Sequence, residues 1–205
     1  VEMLAQGGRT VVVVGRSDHV CGFIALADAA RPEAADAVRR LRELGVQHIA
    51  MLTGDNPETA AEIAKLVGIS EVHAGLLPAD KVERLEELKS HGPLAFVGAG
   101  INDAPALALA DVGLAMGAAG TDAAIVSAHV ALMADDLGKI PWLVNHSRRT
   151  LGIIRTNIAF ALGVKALFVV LTYGGFASLW AAIAADMGAS LIVIANGLRL
   201  LGGER

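Results

Sequence analysis

Lys165 and Asp186 each interrupt a long apolar stretch near its middle, and Arg155 is the only other charged residue between Gly152 and Leu198. An ionised group inside a membrane span costs about 2.5–3.5 kcal/mol on insertion scales and is usually kept for a task. A short turn around Gly174-Gly175 joins the two stretches, with Lys165 about ten residues before it and Asp186 about eleven after it. At ~1.5 Å per helical residue both lie about 15 Å from the turn, near the middle of a ~30 Å hydrocarbon core. The two side chains are therefore placed to meet at one depth, as an ion site with its own counter-ion or as a purely structural ion pair. Asn157, Ser190 and Asn196 are weaker polar candidates that read as helix–helix hydrogen bonds.

Two polar loops earlier in the chain carry a different chemistry. Thr53-Gly54-Asp55-Asn56 offers a hydroxyl, a backbone open to close approach at Gly54, and a carboxylate. Phosphoryl transfer uses such parts, because its catalysis is mostly positioning and charge neutralisation. Pro57 then opens a helix whose first amides add positive potential. An ordinary turn with Asp55-Asn56 as helix cap is the other reading. Gly98-Ala99-Gly100-Ile101-Asn102-Asp103 suits a loop holding an oxygen-ligated hard cation such as Mg²⁺, with Asp103 as ligand or, alternatively, as a helix N-cap. Lys81, after Pro78-Ala79-Asp80, could offset phosphate charge or be a solvated helix lysine.

The elements that must position these loops alternate between strand and helix. Strand patterns fall at Thr10–Val14, Gly22–Leu26, His48–Leu52, Val72–Ala74, Leu94–Val97, Val112–Ala115 and Val130–Met133. Helical patterns fall at Pro32–Leu44, Pro57–Val67, Pro78–Ser90 and Pro105–Ala110, several of them opened by proline and closed by glycine. Continuous apolar strands between helices predict an α/β fold with a parallel sheet covered on both faces. Ligands then sit beyond the carboxyl ends of the strands, where both polar loops fall. From about Leu137 the chain turns helical, with Pro141 as an expected kink, and runs into the membrane stretches.

With 205 residues, 54% of them hydrophobic, and a mean hydropathy of +0.55, the chain is too apolar for an ordinary soluble domain. The net charge of −4 comes with no basic stripe, so nucleic acid is not an expected partner. Cys21 is alone, which excludes a disulfide framework, and the six histidines share no ligand spacing. Arg148, Arg149 and Arg155 flank the first apolar stretch, and Arg199 and Arg205 follow the second. By the positive-inside rule both ends of the hairpin face the cytoplasm. The chain begins at Val1 on what reads as the run-up to a strand, as expected for the C-terminal piece of something longer.

Met51-Leu52-Thr53-Gly54-Asp55-Asn56, Pro78-Ala79-Asp80-Lys81 and Gly-x-Gly-Ile-Asn-Asp-Ala-Pro-Ala-Leu at 98–107 resemble the haloacid-dehalogenase-like phosphorylation domain of P-type ATPases. The likeness continues through Ala110-Asp111-Val112-Gly113 and Met116-Gly117, and upstream through Gly22, Leu26, Asp28, Arg31 and Pro32. Lys165 in Gly-Val-Lys-Ala and Asp186 in Ala-Asp-Met-Gly-Ala-Ser look like the zinc/cadmium/lead-exporting subgroup. The resemblance implies a Rossmann-type parallel-sheet domain followed by a two-helix transmembrane hairpin. Residues 1–30 would be the tail of a nucleotide-binding domain, 31–136 the phosphorylation domain, 137–152 a helical stalk and 153–205 the hairpin, with spans at about 153–173 and 177–201. It further implies ATP and Mg²⁺ as cofactors, and Thr53, Gly54, Asp55, Lys81 and Asn102 around the phosphoryl group, with Asp103 on Mg²⁺. Asp186 would hold exported Zn²⁺, Cd²⁺ or Pb²⁺ with Lys165 as counter-ion, in a plasma or inner membrane, the soluble part and C-terminus being cytoplasmic. The expected partners are the lipid bilayer, the metal ion and the remaining N-terminal part of the pump.

Two departures stand against the resemblance. The family's phosphorylated Asp lies in an Asp-Lys-Thr-Gly loop that does not occur in this chain, and its Gly-Asp-Gly reads Gly98-Ala99-Gly100 here. A methyl group cannot ligate a hard cation, so Ala99 is an introduced change, a sequence variant or the mark of a decayed gene. Two other functions stay open on these grounds: a catalytically inactive binding or assembly fragment, and a phosphatase of the same fold for which the hairpin is only an anchor.

Overall fold

The computed structural model describes residues 10–16, 19–26, 29–117, 122–176 and 178–202. Asp28 of the upstream motif, Arg205 and the strand run-up of residues 1–9 lie outside the described residues. The chain forms two compact units, Val1–Pro141 and Trp142–Arg205.

The first unit opens with an antiparallel pair, β1 (Thr10–Gly15) against β2 (Val20–Leu26). After α1 (Ala34–Glu43) come two parallel ladders in a βα order. β3 (Ala50–Leu52) crosses through α2 (Pro57–Val67) to β4 (Glu71–His73), with Ala50 opposite Glu71 and Leu52 opposite His73. α3 (Pro78–Lys89) leads to a ladder in the order β5 (Ala95–Gly98), β6 (Val112–Met116), β7 (Val130–Leu132). A 3₁₀ turn at Ile101–Asp103 and α4 (Ala104–Leu109) connect β5 to β6, and α5 (Asp122–Ser127) connects β6 to β7. The sheet is parallel, as the apolar strands require, but among the described residues no ladder joins the β3–β4 piece to the β5–β6–β7 piece. α5 escapes a reading by pattern because six residues are too few to show a period.

The core beneath β5 and β6 is built from Leu85, Phe96, Ala106, Leu107, Ala110, Ala115 and Ala124. Four of these seven are alanines, so helices and strands pack at short range. Gly113 shows how short: a Cβ there would stand 2.2 Å from the Leu107 carbonyl oxygen, so only glycine lets α4 lie on β6. At its far end α3 is tied to the start of β5 and the end of α4. Lys89 Nζ donates to the Leu109 carbonyl at 2.9 Å and pairs with Asp111 at 3.0 Å, while Asp111 Oδ2 accepts from Leu94 N at 2.9 Å. Those bonds and the Asp111–Lys89 attraction hold the Asp111 carboxyl below its usual range.

The second unit holds most of α6 (Lys139–Tyr173, 35 residues) and α7 (Leu179–Leu198, 20 residues). Pro141 stands in the first turn of α6, where its missing N–H costs no helical bond, and not at an interior kink. α6 runs without interruption from residue 139 of the expected 137–152 stalk through the first apolar stretch. The chain turns back at Gly174-Gly175, Gly175 at φ +77°, and Ser178 caps α7 by accepting from Ala181 N at 3.2 Å. Both helices are long and apolar enough to cross a membrane. A helix of equal length and hydropathy in the core of a soluble protein would be buried; here the most apolar stretches of the two helices are 0% and 6% buried.

Candidate functional site

The first polar loop leaves the carboxyl end of β3. Thr53 N donates to the His73 carbonyl at 2.9 Å and Leu76 N donates to the Thr53 carbonyl at 3.0 Å, so the residue continues the β3–β4 pairing into the loop. Its hydroxyl donates to Asp55 Oδ2 at 2.7 Å and accepts from Asp55 N at 3.1 Å. Gly54 and Asp55 are exposed, and a Cβ on Gly54 would come to 3.3 Å from the Leu76 carbonyl. Asn56, not Asp55, caps α2: its Oδ1 accepts from Thr59 N at 2.9 Å. Asp55 is thereby left for Thr53.

The second loop leaves β5. Asp103 Oδ2 accepts from Ala99 N at 3.3 Å and Gly100 N at 3.1 Å, so the side chain folds back over the loop and does not cap α4. A Cβ on Gly98 would be 2.8 Å from the Asp103 Cβ, which explains the glycine. Asp103 Oδ1 accepts from Lys81 Nζ at 2.9 Å. Lys81 sits in the first turn of α3, a turn pinned where Asp80 Oδ2 accepts from Leu77 N at 2.9 Å. Both partners are only 16% exposed, so Lys81 is not a solvated helix lysine. Asn102 is exposed on the 3₁₀ turn.

The fold therefore gathers Thr53 with Asp55, and Lys81 with Asp103, Ala99 and Gly100, at the carboxyl ends of parallel strands. Among the described residues the two groups share no hydrogen bond. A resident Mg²⁺ does not fit the donor set of the second loop. Its one carboxylate, Asp103, already accepts three hydrogen bonds, and Ala99 contributes a methyl where a second oxygen ligand would be needed. Among the described residues no group of three or more His, Cys, Asp or Glu could hold a metal ion.

In the second unit Lys165 Nζ lies 3.7 Å from Asp186 Oδ1, across the two helices. Within this unit the side chains are 66% and 62% exposed, because two helices alone cannot surround a side chain. Ser190 donates to the Asp186 carbonyl within α7 at 2.9 Å and not across to α6. Asn157 and Asn196 do bond across, Asn196 Nδ2 donating to Asn157 Oδ1 at 2.7 Å. The pattern of charges gave no sign of the Lys89–Asp111–Leu94 tie or of the Arg31–Asp135 ion pair, since single surface charges carry no spacing signal.

Comparison with known proteins agrees with this geometry. The family model described as haloacid dehalogenase-like hydrolase matches residues 1–111. The chain is 45% identical over 202 residues to a probable cadmium-transporting ATPase of Staphylococcus aureus (strain MRSA252), covering 98% of this chain and 28% of that protein. It is 49% identical over 201 residues to the zinc/cadmium/lead-transporting P-type ATPase of Escherichia coli (strain K12), covering 98% of this chain and 27% of the relative. The crystal structure of a zinc-transporting PIB-type ATPase in the E2.Pi state matches with a TM-score of 0.86 at 48% identity, over 98% of this chain and 33% of that one. The chain thus spans between a quarter and a third of the length of each relative.

Proposed function

We propose, on the premise that this chain belongs to the haloacid dehalogenase-like hydrolases, that it is the C-terminal portion of an ATP-driven exporter of divalent heavy-metal ions. ATP would phosphorylate an aspartate supplied by the part of the pump outside this chain. Thr53, with its hydroxyl held by Asp55, and the Gly54 backbone would meet the phosphoryl group, and Lys81 would neutralise its charge. Asp103 fixes Lys81 in place, and the exposed Asn102 borders the same loop. The continuous helix α6 is the covalent route from the sheet unit to the membrane, with the soluble unit and both hairpin ends on the cytoplasmic side.

The observation that carries this reading is the Lys165–Asp186 pair, met at one depth between two apolar helices. A hard carboxylate favours Zn²⁺, Cd²⁺ or Pb²⁺ over a soft monovalent ion. Once the ion leaves, Lys165 within reach of Asp186 neutralises it, which aids release and opposes back-flow. A hairpin serving only as an anchor would have no use for two ionised groups there. Ala99 favours a second reading, an inactive fragment with binding or assembly roles.

The test uses the complete pump, carrying Ala99→Asp, in proteoliposomes. ATP hydrolysis stimulated by Zn²⁺ or Cd²⁺ is expected, and Asp186→Ala should abolish the stimulation. No stimulation in the parent would leave the assembly reading standing; undiminished stimulation in Asp186→Ala would take Asp186 out of the transport path.

A further inference from the structure

Two apolar helices in lipid have little to fix how far one slides along the other, because lipid tails solvate leucine and valine as well as a neighbouring helix does. Beyond close packing of small residues, directional polar contacts specify the register most sharply. Within the second unit two such hydrogen bonds cross between the helices, and a third, within the end of α7, extends them into a chain. Arg199 Nη1 donates to Asn196 Oδ1 at 3.3 Å, Asn196 Nδ2 donates to Asn157 Oδ1 at 2.7 Å, and Asn157 Nδ2 reaches the Val193 carbonyl at 3.4 Å. Asn157, Val193 and Asn196 are half-buried, whereas Lys165 and Asp186 are open.

The spacing ties these amides to the ion pair. Asn157 on α6 faces the turn of α7 that runs from Val193 to Asn196. Eight residues toward the Gly174-Gly175 turn from Asn157 is Lys165, and eight residues toward it from that stretch of α7 is 185–188, which contains Asp186. A single antiparallel register therefore satisfies both contacts, and a slip of one helical turn, about 5.4 Å, breaks both. The two contacts differ in firmness. The amide bond is short and directional, while the ion pair at 3.7 Å joins two exposed side chains, one of them long and flexible.

We infer that Asn157 and Asn196 are positioning residues: an amide clamp near the open end of the hairpin that sets the register in which Lys165 meets Asp186. The clamp stands on hydrogen bonds within the hairpin; its consequence for metal transport rests on the proposed export function.

The test places the 205-residue chain, carrying Cys21→Ser, in lipid nanodiscs with Lys165→Cys and one partner cysteine on α7. The partner is Asp186→Cys, Ala182→Cys or Ser190→Cys, the last two one turn to either side. A short bifunctional thiosulfonate reagent bridges the pair, and the rate is read on gels. Asn157→Leu and Asn196→Leu should each slow bridging to position 186 about three- to eighteen-fold, the range that interhelical hydrogen bonds in membranes span. Bridging to 182 or 190 should rise in step, and combining the two substitutions should slow bridging to 186 no further than Asn157→Leu alone, which already removes both cross-helix bonds. Thr156→Val, which removes a hydroxyl bonded only within its own helix to Gly152, should change nothing. An undiminished rate at 186 overturns the clamp, and so does an equal loss at all three positions, since that reports unfolding and not slippage. In the complete pump carrying Ala99→Asp, Asn157→Leu should raise the half-stimulating Cd²⁺ concentration more than it lowers kcat. A parent without metal stimulation defeats the export reading, while the cross-linking rates still decide for or against the clamp.

Discussion

Each unit of this molecule contains a lysine–aspartate pair, and the two pairs are enclosed to opposite degrees. Lys81 and Asp103 meet at 2.9 Å, each 16% exposed, and the carboxylate also accepts two backbone amides. Lys165 and Asp186 meet at 3.7 Å with side chains 66% and 62% exposed, and α7 gives Asp186 no side-chain hydrogen bond beyond that partner among the described residues. The residue types are identical, so the difference lies in what surrounds them. A pair whose lone pairs are filled holds a fixed charge distribution, which suits a group that must aim at a phosphate. A pair with unfilled lone pairs can exchange its partner, as the role proposed above for Asp186 requires.

The largest test of that contrast is to reopen the closed pair's loop. Ala99→Asp adds a second carboxylate beside Asp103, and Mg²⁺-dependent ATP turnover of the complete pump proposed above should rise roughly a hundred-fold, the upper end of the scale on which metal sites respond to lost or gained support. Mg²⁺ titration followed by calorimetry should show a new binding event in the variant. No gain in either would mean that residue 99 does not face the metal. Next in size is Asp186→Ala in that background, expected to lower Cd²⁺-stimulated turnover by roughly a hundred-fold. Lys165→Met should keep stimulation but slow release, visible as burst kinetics.

The contrast also predicts different effects on stability. Lys81→Met leaves an enclosed carboxylate oxygen without its donor and should destabilise the first unit by about 1–3 kcal/mol. Lys165→Met leaves a carboxylate that protein does not enclose in this chain, and in detergent, where water reaches it, the loss should be smaller than for Lys81→Met. Circular dichroism melts of the two variants in the same detergent decide it. Equal losses would mean that enclosure, as seen in the separate units, does not govern these pairs.

How much of this was legible in the sequence divides along the same line. The strands, the proline-opened helices and both polar loops follow from apolar runs and turn chemistry, which are local. The closure of Lys81 on Asp103 is not local, since it joins residues 22 apart through the fold, and Lys81 by itself reads as a surface lysine. The facing of Lys165 and Asp186 could be reckoned from helical rise, because a hairpin in a membrane has few ways to pair. Their exposure could not, since it depends on how many helices surround them. The break between the β3–β4 and β5–β6–β7 ladders was invisible for a related reason: a strand's pattern says that it pairs, not with which neighbour.

A third lysine–aspartate pair lies between the two extremes and gives the finest test. Lys89 and Asp111 meet at 3.0 Å with side chains 37% and 39% exposed, and Asp111 also accepts from Leu94 N. The Leu94 amide bond, then the Lys89 hydrogen bond and charge, hold the Asp111 carboxyl below the ordinary value of 3.8. A carboxyl depressed on folding contributes stability that is present above its unfolded value and lost as pH falls through its folded one. The first unit should therefore lose thermal stability as pH drops from about 5 to below 4, with Asp111 supplying part of the slope. Asp111→Asn keeps an acceptor for Leu94 N but removes the titrating charge. Its melting temperature should sit slightly below the parent's at pH 7, where the ionised pair is intact, and converge toward it as pH falls through the lowered folded value of Asp111. Parallel curves across that range would mean that the exposed half of the pair screens its charge as fully as water does. In that case only the enclosed Lys81–Asp103 pair would carry a stability effect, and the grading from closed to open would be a step between two kinds of site.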